Sequence, residues 1–101
     1  MASPSKSKGN RLEYLLVKRA QDAGLEAKRA YGSNGKSLGF TDDVDVLIGD
    51  IKVQAKARKA VASFMKPPPG ADVTVLQEIR KGHTEEPLVV MPLKMFLELL
   101  S

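Results

Sequence analysis

The sequence predicts an α/β domain in which helices flank a mixed β-sheet. Three observations indicate this class: an apolar helical period near the N-terminus, strand-like apolar runs in the middle, and a second helical run at the C-terminus. The chain has 101 residues, 43% of them hydrophobic, which is enough for one core but not for two. We therefore expect a single domain over residues 9–101, preceded by a flexible basic tail over residues 1–8.

The first helix is predicted between Arg11 and Ala23, and Gly24 ends it. Its apolar positions at helical spacing are Leu12, Leu15, Leu16, Ala20 and Ala23. Asn10 and Glu13 have the spacing of a capping residue and the third helical residue, so one interpretation of Glu13 is that it closes a capping box.

The middle of the chain predicts three strands. Residues 25–31 alternate loosely as a first strand, and the glycine- and serine-rich residues 32–42 predict an open loop. Residues 43–48 and 51–57 are two further strands, and Gly49-Asp50 between them is typical of a tight hairpin turn.

The remaining residues complete the order α-β-β-β-α-β-β-α. Residues 58–66 predict a short helix that ends before three prolines and a glycine, because proline lacks the amide hydrogen and restricts the residue before it. Residues 73–80 and 88–91 predict strands on either side of a polar loop over residues 81–86, and residues 93–100 predict the last helix.

The charge and the residue composition indicate which kinds of partner and metal site the chain can have. Sixteen basic against twelve acidic residues give a net charge of +4, which favours polyanionic partners such as nucleic acid. The chain has no cysteine and a single histidine, His83, so any metal must be held mainly by oxygen, and Mg²⁺ suits such ligands best. No signal-like or membrane-length apolar run occurs, so we expect a cytoplasmic protein without a membrane partner.

The hairpin carries the candidate chemistry. If its turn has two residues, counting outward sets Asp45 opposite Gln54 and Asp43 opposite Lys56. These four polar side chains then share one face, with Cβ atoms of opposed residues about 5 Å apart. Two oxygen side chains at that separation can share one cation beside an ammonium group. The alternative is an ordinary hairpin with one apolar and one solvated face.

A wider set of residues follows one order along the chain: Lys8-Gly9, Glu13, Gly24, Arg29, Gly32-Ser33, Val44-Asp45 and Val53-Gln54-Ala55-Lys56. This layout resembles the archaeal-type Holliday junction resolvases of the PD-(D/E)XK superfamily. The resemblance covers roughly the first sixty residues. It implies a restriction-endonuclease-like fold and a metal-dependent endonuclease that resolves four-way DNA junctions as a homodimer.

The resemblance also implies a role for each site residue. Asp45 corresponds to the central metal ligand, Gln54 to the second ligand, Lys56 to the catalytic lysine and Glu13 to a further acid of the metal site. The family has glutamate where this chain has Gln54, so the motif is Q-x-K instead of E-x-K, and Asp43 or Asp42 could supply the missing charge. The implied cofactor is Mg²⁺, for which Mn²⁺ can substitute.

DNA contacts are implied at further positions. Arg29 and Ser33 correspond to residues that meet the scissile or neighbouring phosphate, and the basic residues expected to follow the DNA backbone are Lys8, Lys36, Arg58 and Lys59. Simpler interpretations remain open: Arg29 and Lys56 as solvated surface residues, and Ser33 as loop composition. Gly35-Lys36-Ser37 is not a nucleotide-binding phosphate loop, because alanine occupies the position of the required earlier glycine.

Two rival functions remain at this stage. The first is a non-catalytic or weakly catalytic DNA-binding module of the same fold, which the neutral Gln54 favours. The second is a nickase or endonuclease for other branched DNA. Resolution of a four-way junction needs two paired sites and therefore a homodimer, whereas a nickase can act as a monomer.

Overall fold

The computed structural model describes residues 4–30 and 43–101, with side chains from Asn10 onward. The chain divides into two compact units, one comprising Met1–Arg58 with Leu100–Ser101 and the other Lys59–Leu99. The described residues form a mixed α/β structure with two α-helices and small antiparallel sheets.

Helix α1 spans Pro4–Asp22, so it begins six residues before Asn10. Proline suits the first turn of a helix because its missing N–H would have no intrahelical partner there. Residues 4–8, which the sequence analysis assigned to a flexible tail, therefore belong to this helix. Asn10 lies inside the helix, and the capping-box interpretation of Glu13 is wrong.

The helix ends at Asp22, two residues before Gly24, the residue at which the sequence predicts the stop. Gly24 has φ of 83°, a conformation that favours glycine, and the amide of Leu25 donates to the carbonyl of Ala20 at 2.9 Å. This bond satisfies a carbonyl that the end of the helix leaves open and turns the chain toward the first strand.

The buried face of α1 differs from the predicted one. Leu16 and Ala20 are buried as expected, but Leu15 is 45% exposed and Glu13 is only 3% exposed. Positions 13, 16 and 20 follow the helical period, so a carboxylate lies in line with the apolar residues that face the core. The helix thus carries a charge into the packed side of its unit.

The first unit contains a three-stranded antiparallel sheet in the order β1-β2-β3. Its strands are β1 (Ala27–Arg29), β2 (Val46–Ile48) and β3 (Ile51–Val53), each shorter than predicted. Ile48 pairs with Ile51, which confirms the two-residue turn, and Gly49 adopts φ of 57° there.

The core of this unit lies where α1 packs against β1 and β2. Alternate residues of the central strand segment, Val44, Val46 and Ile48, are buried, and the last two are 0% and 1% exposed. The alternation is the one expected for a strand with a single buried face.

The second unit opens with a difference from the sequence analysis. In place of a helix over residues 58–66, the chain forms only a short 3-10 helix at Ser63–Met65. Lys66 precedes a proline and is extended, with φ of −81° and ψ of 130°, so the helix cannot continue past it. The few residues available cannot offset the cost of nucleating an α-helix.

The predicted strand over residues 73–80 is divided in two. Strand β4 (Thr74–Leu76) pairs with β7 (Leu88–Val90), whereas β5 (Ile79–Arg80) pairs with β6 (His83–Thr84) in the segment predicted as a loop. The described strands pair only antiparallel and form three small sheets. The expectation of one mixed sheet is therefore wrong for the residues that the structure describes.

Helix α2 spans Leu93–Leu100, which confirms its predicted bounds. Leu97 is its buried residue, at 4% exposure. Neither this helix nor the described part of α1 has the length and apolar character needed to cross a membrane.

Ile48 and Ile51 provide a test of the core because they are cross-strand partners with different exposure, 1% and 37%. Ile48→Ala should lower the free energy of unfolding by about 2–4 kcal/mol, since it leaves a cavity. Ile51→Ala should lower it by less than about 1 kcal/mol, as expected at a partly solvated site. Urea denaturation followed by circular dichroism measures both, and equal losses would contradict the assigned core.

Candidate functional site

The regular pairing of β2 with β3 ends at Val46 and Val53. The next amide, that of Asp45, donates to the carbonyl of Val53 at 2.9 Å, so two consecutive residues face one residue of the partner strand. This is the hydrogen-bond pattern of a β-bulge, which interrupts a ladder and changes the direction of a side chain. The ladder therefore stops one residue short of the expected pair between Asp45 and Gln54.

The carboxylate of Asp45 is held at this interruption. Its Oδ2 atom accepts the amide hydrogen of Ala55 at 2.8 Å in a part-buried position. A charged acceptor makes a stronger bond with a backbone amide than a neutral one does. Asp45 thus fixes the spacing of the two chain segments just beyond the regular hairpin.

Gln54 contacts the other aspartate of the hairpin. Its Nε2 atom donates to Oδ1 of Asp43 at 3.5 Å, and both side chains are exposed. The sequence predicts that Asp43 lies opposite Lys56, but Lys56 lies three residues beyond the end of β3 and is exposed. The structure therefore brings Asp43 and Gln54 into contact at the open end of the hairpin, binds Asp45 to the backbone of the residue after Gln54, and leaves Lys56 in the segment that follows.

Strand β1 ends beside Asp45. The amide of Ala30 donates to the carbonyl of Asp45 at 2.8 Å, and Arg29 pairs with Val46 across the two strands. Opposed residues on paired strands share a face, so Arg29 lies on the face of buried Val46.

Arg29 forms an ion pair with Glu13. Its Nε atom donates to Oε1 of Glu13 at 2.9 Å, and the side chains are 22% and 4% exposed, respectively. The interpretation of Arg29 as a solvated strand residue is therefore wrong. Two residues that the resemblance placed in separate roles, one at a metal and one at a phosphate, are bound to each other.

Two further residues of α1, neither of them predicted as a site residue, complete this cluster. The Nη2 atom of Arg29 lies 3.5 Å from Oδ1 of Asn10, and its guanidinium carbon lies 4.4 Å from the centre of the Tyr14 ring. Residues 10, 13 and 14 are three and four apart on one helix, the spacing that places side chains on one face. This spacing is the feature of the sequence from which the grouping of these residues on one helix face can be predicted.

The side-chain oxygens at the open end of the hairpin are of the kind that a hard cation takes as ligands. Mg²⁺ commonly takes one or two carboxylates and completes its shell with water, and Asp43 and Asp45 supply two carboxylates. The amide of Gln54 points its nitrogen at Asp43, so coordination by its oxygen requires a half-turn of the amide. Glu13 is bound to Arg29 instead, and among described side chains no three acidic or histidine groups form a metal cluster.

The remaining residues predicted to contact DNA are exposed or lie outside the described residues. Arg58 and Lys59 are exposed, and Nη1 of Arg58 donates to the carbonyl of Ala57 at 3.1 Å. The predictions for Ser33 and Lys36, and for the side chain of Lys8, lie outside the described residues.

The ion pair predicts an unequal response to two substitutions. Arg29→Met removes an ion-pair partner of a carboxylate that is 4% exposed, so the free energy of unfolding should fall by about 3 kcal/mol. Lys18→Met is the matched control, because Lys18 and Asp22 form an exposed pair one turn apart on the same helix. Its loss should be at most about 0.5 kcal/mol. Similar losses in chemical denaturation would contradict a structural role for the buried pair.

Comparison of the chain with protein-family models, with curated proteins and with solved structures finds no match in any of the three. The case for a function therefore depends on the residues of the site and on the order in which they occur.

Proposed function

We propose that this chain is a Mg²⁺-dependent endonuclease that hydrolyses phosphodiester bonds in branched DNA, with the four-way junction as its substrate. The observation that carries the proposal is the pair of hydrogen bonds at the open end of the hairpin, from Gln54 to Asp43 and from the amide of Ala55 to Asp45. Lys56 follows them in the same segment. The net charge of +4 is consistent with a polyanionic substrate.

The chain's own residues supply specific parts of this chemistry. A bound divalent cation lowers the pKa of a water molecule and neutralises charge on a phosphate. Asp45 contributes a carboxylate whose orientation is fixed by the amide of Ala55, which leaves little reorganisation for ligand binding. The exposed ammonium group of Lys56 can orient the attacking water or stabilise charge that develops on the phosphate.

A DNA-binding module with weak or no cleavage is the second candidate. Two observations favour it: the position of the second ligand carries the neutral Gln54, and Glu13 is bound to Arg29. An endonuclease for nicked or other branched duplexes is a variant of the first proposal. The mass of the protein in solution separates these enzymes, because paired cuts across a junction require a homodimer.

The catalytic proposal predicts Mg²⁺-dependent incision of a synthetic four-way junction. Asp45→Asn should abolish incision while junction binding remains, because asparagine keeps an oxygen acceptor for the Ala55 amide but loses the charge. Lys56→Ala should lower the rate by about 100-fold or more. Gel analysis of a labelled junction measures both.

Asp50→Asn is the matched control for incision, since Asp50 is an exposed acid at the turn end of the same hairpin. Its rate should equal that of the wild type. A wild-type protein that binds junctions but never cuts them with Mg²⁺ or Mn²⁺ would refute the catalytic proposal and leave the DNA-binding module.

The place of Gln54 in the metal site has its own test. Gln54→Glu should lower the Mg²⁺ concentration for half-maximal incision by about tenfold, the effect of one added ligand interaction of about 1.4 kcal/mol. Gln77→Glu, which adds the same charge to the second unit, is the control and should leave that concentration unchanged. Equal metal dependence in wild type and Gln54→Glu would exclude Gln54 as a ligand.

A further inference from the structure

We propose that the second unit binds a basic peptide segment of a partner protein, in a groove that joins an apolar part to an acidic part. The groove has a volume of about 770 Å³, within the range of about 300–1,000 Å³ that is typical of ligand sites. It lies within the second unit, and its lining includes three apolar and three acidic residues: Phe64, Leu76, Leu88, Glu78, Glu85 and Glu86. This docking site is additional to the proposed endonuclease activity and does not depend on it.

The apolar part of the groove lies where the sheet of β4 and β7 ends. Leu76 and Leu88 are directly opposed at this end, so their side chains share one face of the sheet. Phe64, from the 3-10 helix, also lines the groove. Leu88 is 65% exposed and Phe64 is 69% exposed, although burial of either side chain would contribute stability. Large apolar side chains exposed in one groove are typical of a surface that a partner covers.

The acidic part of the groove is held in place by hydrogen bonds between its two chain segments. The amide of Glu85 donates to the carbonyl of Glu78 at 3.1 Å. Nε2 of Gln77, which also lines the groove, donates to the carbonyl of Glu85 at 3.3 Å. Both acceptors are backbone carbonyls, so these bonds fix the positions of the two acidic residues without using their carboxylates.

The groove has more negative than positive charge. Arg80 forms an exposed ion pair with Glu78, and Nε2 of His83 lies 2.7 Å from Oε1 of Glu85. With His83 neutral, the three carboxylates and one guanidinium of the lining residues and their ion-pair partners leave an excess of two negative charges. The second unit as a whole contains as many acidic as basic residues, so the net charge of +4 lies outside it.

This excess of negative charge selects among the possible occupants of the groove. A nucleic-acid phosphate or an anionic lipid headgroup would meet like charge there. A second copy of the chain, docked groove to groove about a two-fold axis, would set the same carboxylates against each other. A peptide segment with lysine or arginine beside bulky apolar side chains matches both parts, because its apolar groups cover Phe64 and Leu88 while its cations lie near the carboxylates.

The test measures fluorescence anisotropy of a short fluorescein-labelled peptide in which lysine alternates with leucine, titrated with the full chain. We expect saturable binding of this lysine–leucine peptide. Two control peptides, one with glutamate in place of lysine and one with serine in place of leucine, should each bind at least about tenfold more weakly, because each lacks one half of the match.

The apolar part of the groove has a matched pair of variants on one strand. Leu88→Ser should weaken binding of the lysine–leucine peptide by about tenfold, because the peptide then covers less apolar surface. Val89→Ser is the control and should leave the affinity unchanged, since Val89 is 54% exposed but its side chain lies on the other face of the sheet. Thermal unfolding of each variant establishes that it is folded at the temperature of the assay.

The acidic part is tested by the removal of one carboxylate at a time. Glu86→Gln should weaken binding of the lysine–leucine peptide by about threefold at low salt, and the difference from the wild type should shrink as salt rises. Glu98→Gln removes an exposed carboxylate of α2 outside the groove lining and should leave the affinity unchanged. If Leu88→Ser does not fold, this second pair of variants decides the outcome.

Several results would overturn the proposal: no saturable binding of the lysine–leucine peptide, equal binding of the glutamate–leucine peptide, or equal affinities in the variant and the control of either pair. Binding of a labelled single-stranded oligonucleotide that falls in Leu88→Ser but not in Val89→Ser would assign the groove to a nucleobase instead. Junction incision is measured separately, so the docking site and the proposed endonuclease can each fail alone.

Discussion

A carboxylate removed from water requires a counter-ion, and much of the first unit is arranged around that requirement. Glu13 lies among the buried residues of α1, in line with Leu16 and Ala20, and Arg29 reaches it from the neighbouring strand. The pair fixes the helix against the sheet in both rotation and position, because a shift of either element would separate two charges in a poorly solvated place. Apolar packing around Val46 and Ile48 alone would tolerate small shifts more readily.

The same requirement limits what the site can do at one time. Glu13 is already bound to Arg29, and Asp45 is already bound to the amide of Ala55. In the proposed endonuclease, the charged atoms that would take part in the chemistry therefore also hold the fold together.

Features set by local chemistry could be predicted from the sequence. The hairpin turn at Gly49, the end of α1 before Gly24 and the bounds of Leu93–Leu100 follow from glycine conformation and helical period. Features set by tertiary contacts could not. A stripe of apolar residues does not reveal that Glu13 shares the buried face, since burial of a carboxylate depends on a partner sixteen residues away. The bulge at Asp45 likewise depends on hydrogen bonds to the partner strand, and the alternation of apolar and polar residues within one strand does not predict them.

Gln54 connects these points to function. A glutamate in its place would set a second carboxylate against that of Asp43, and like charges at that separation repel. The amide avoids that repulsion and instead donates a hydrogen bond to Asp43, which holds the open end of the hairpin together. In the proposed endonuclease, Gln54 would thus favour the order of the hairpin at the expense of affinity for the cation, and the substrate phosphate would have to complete the metal shell.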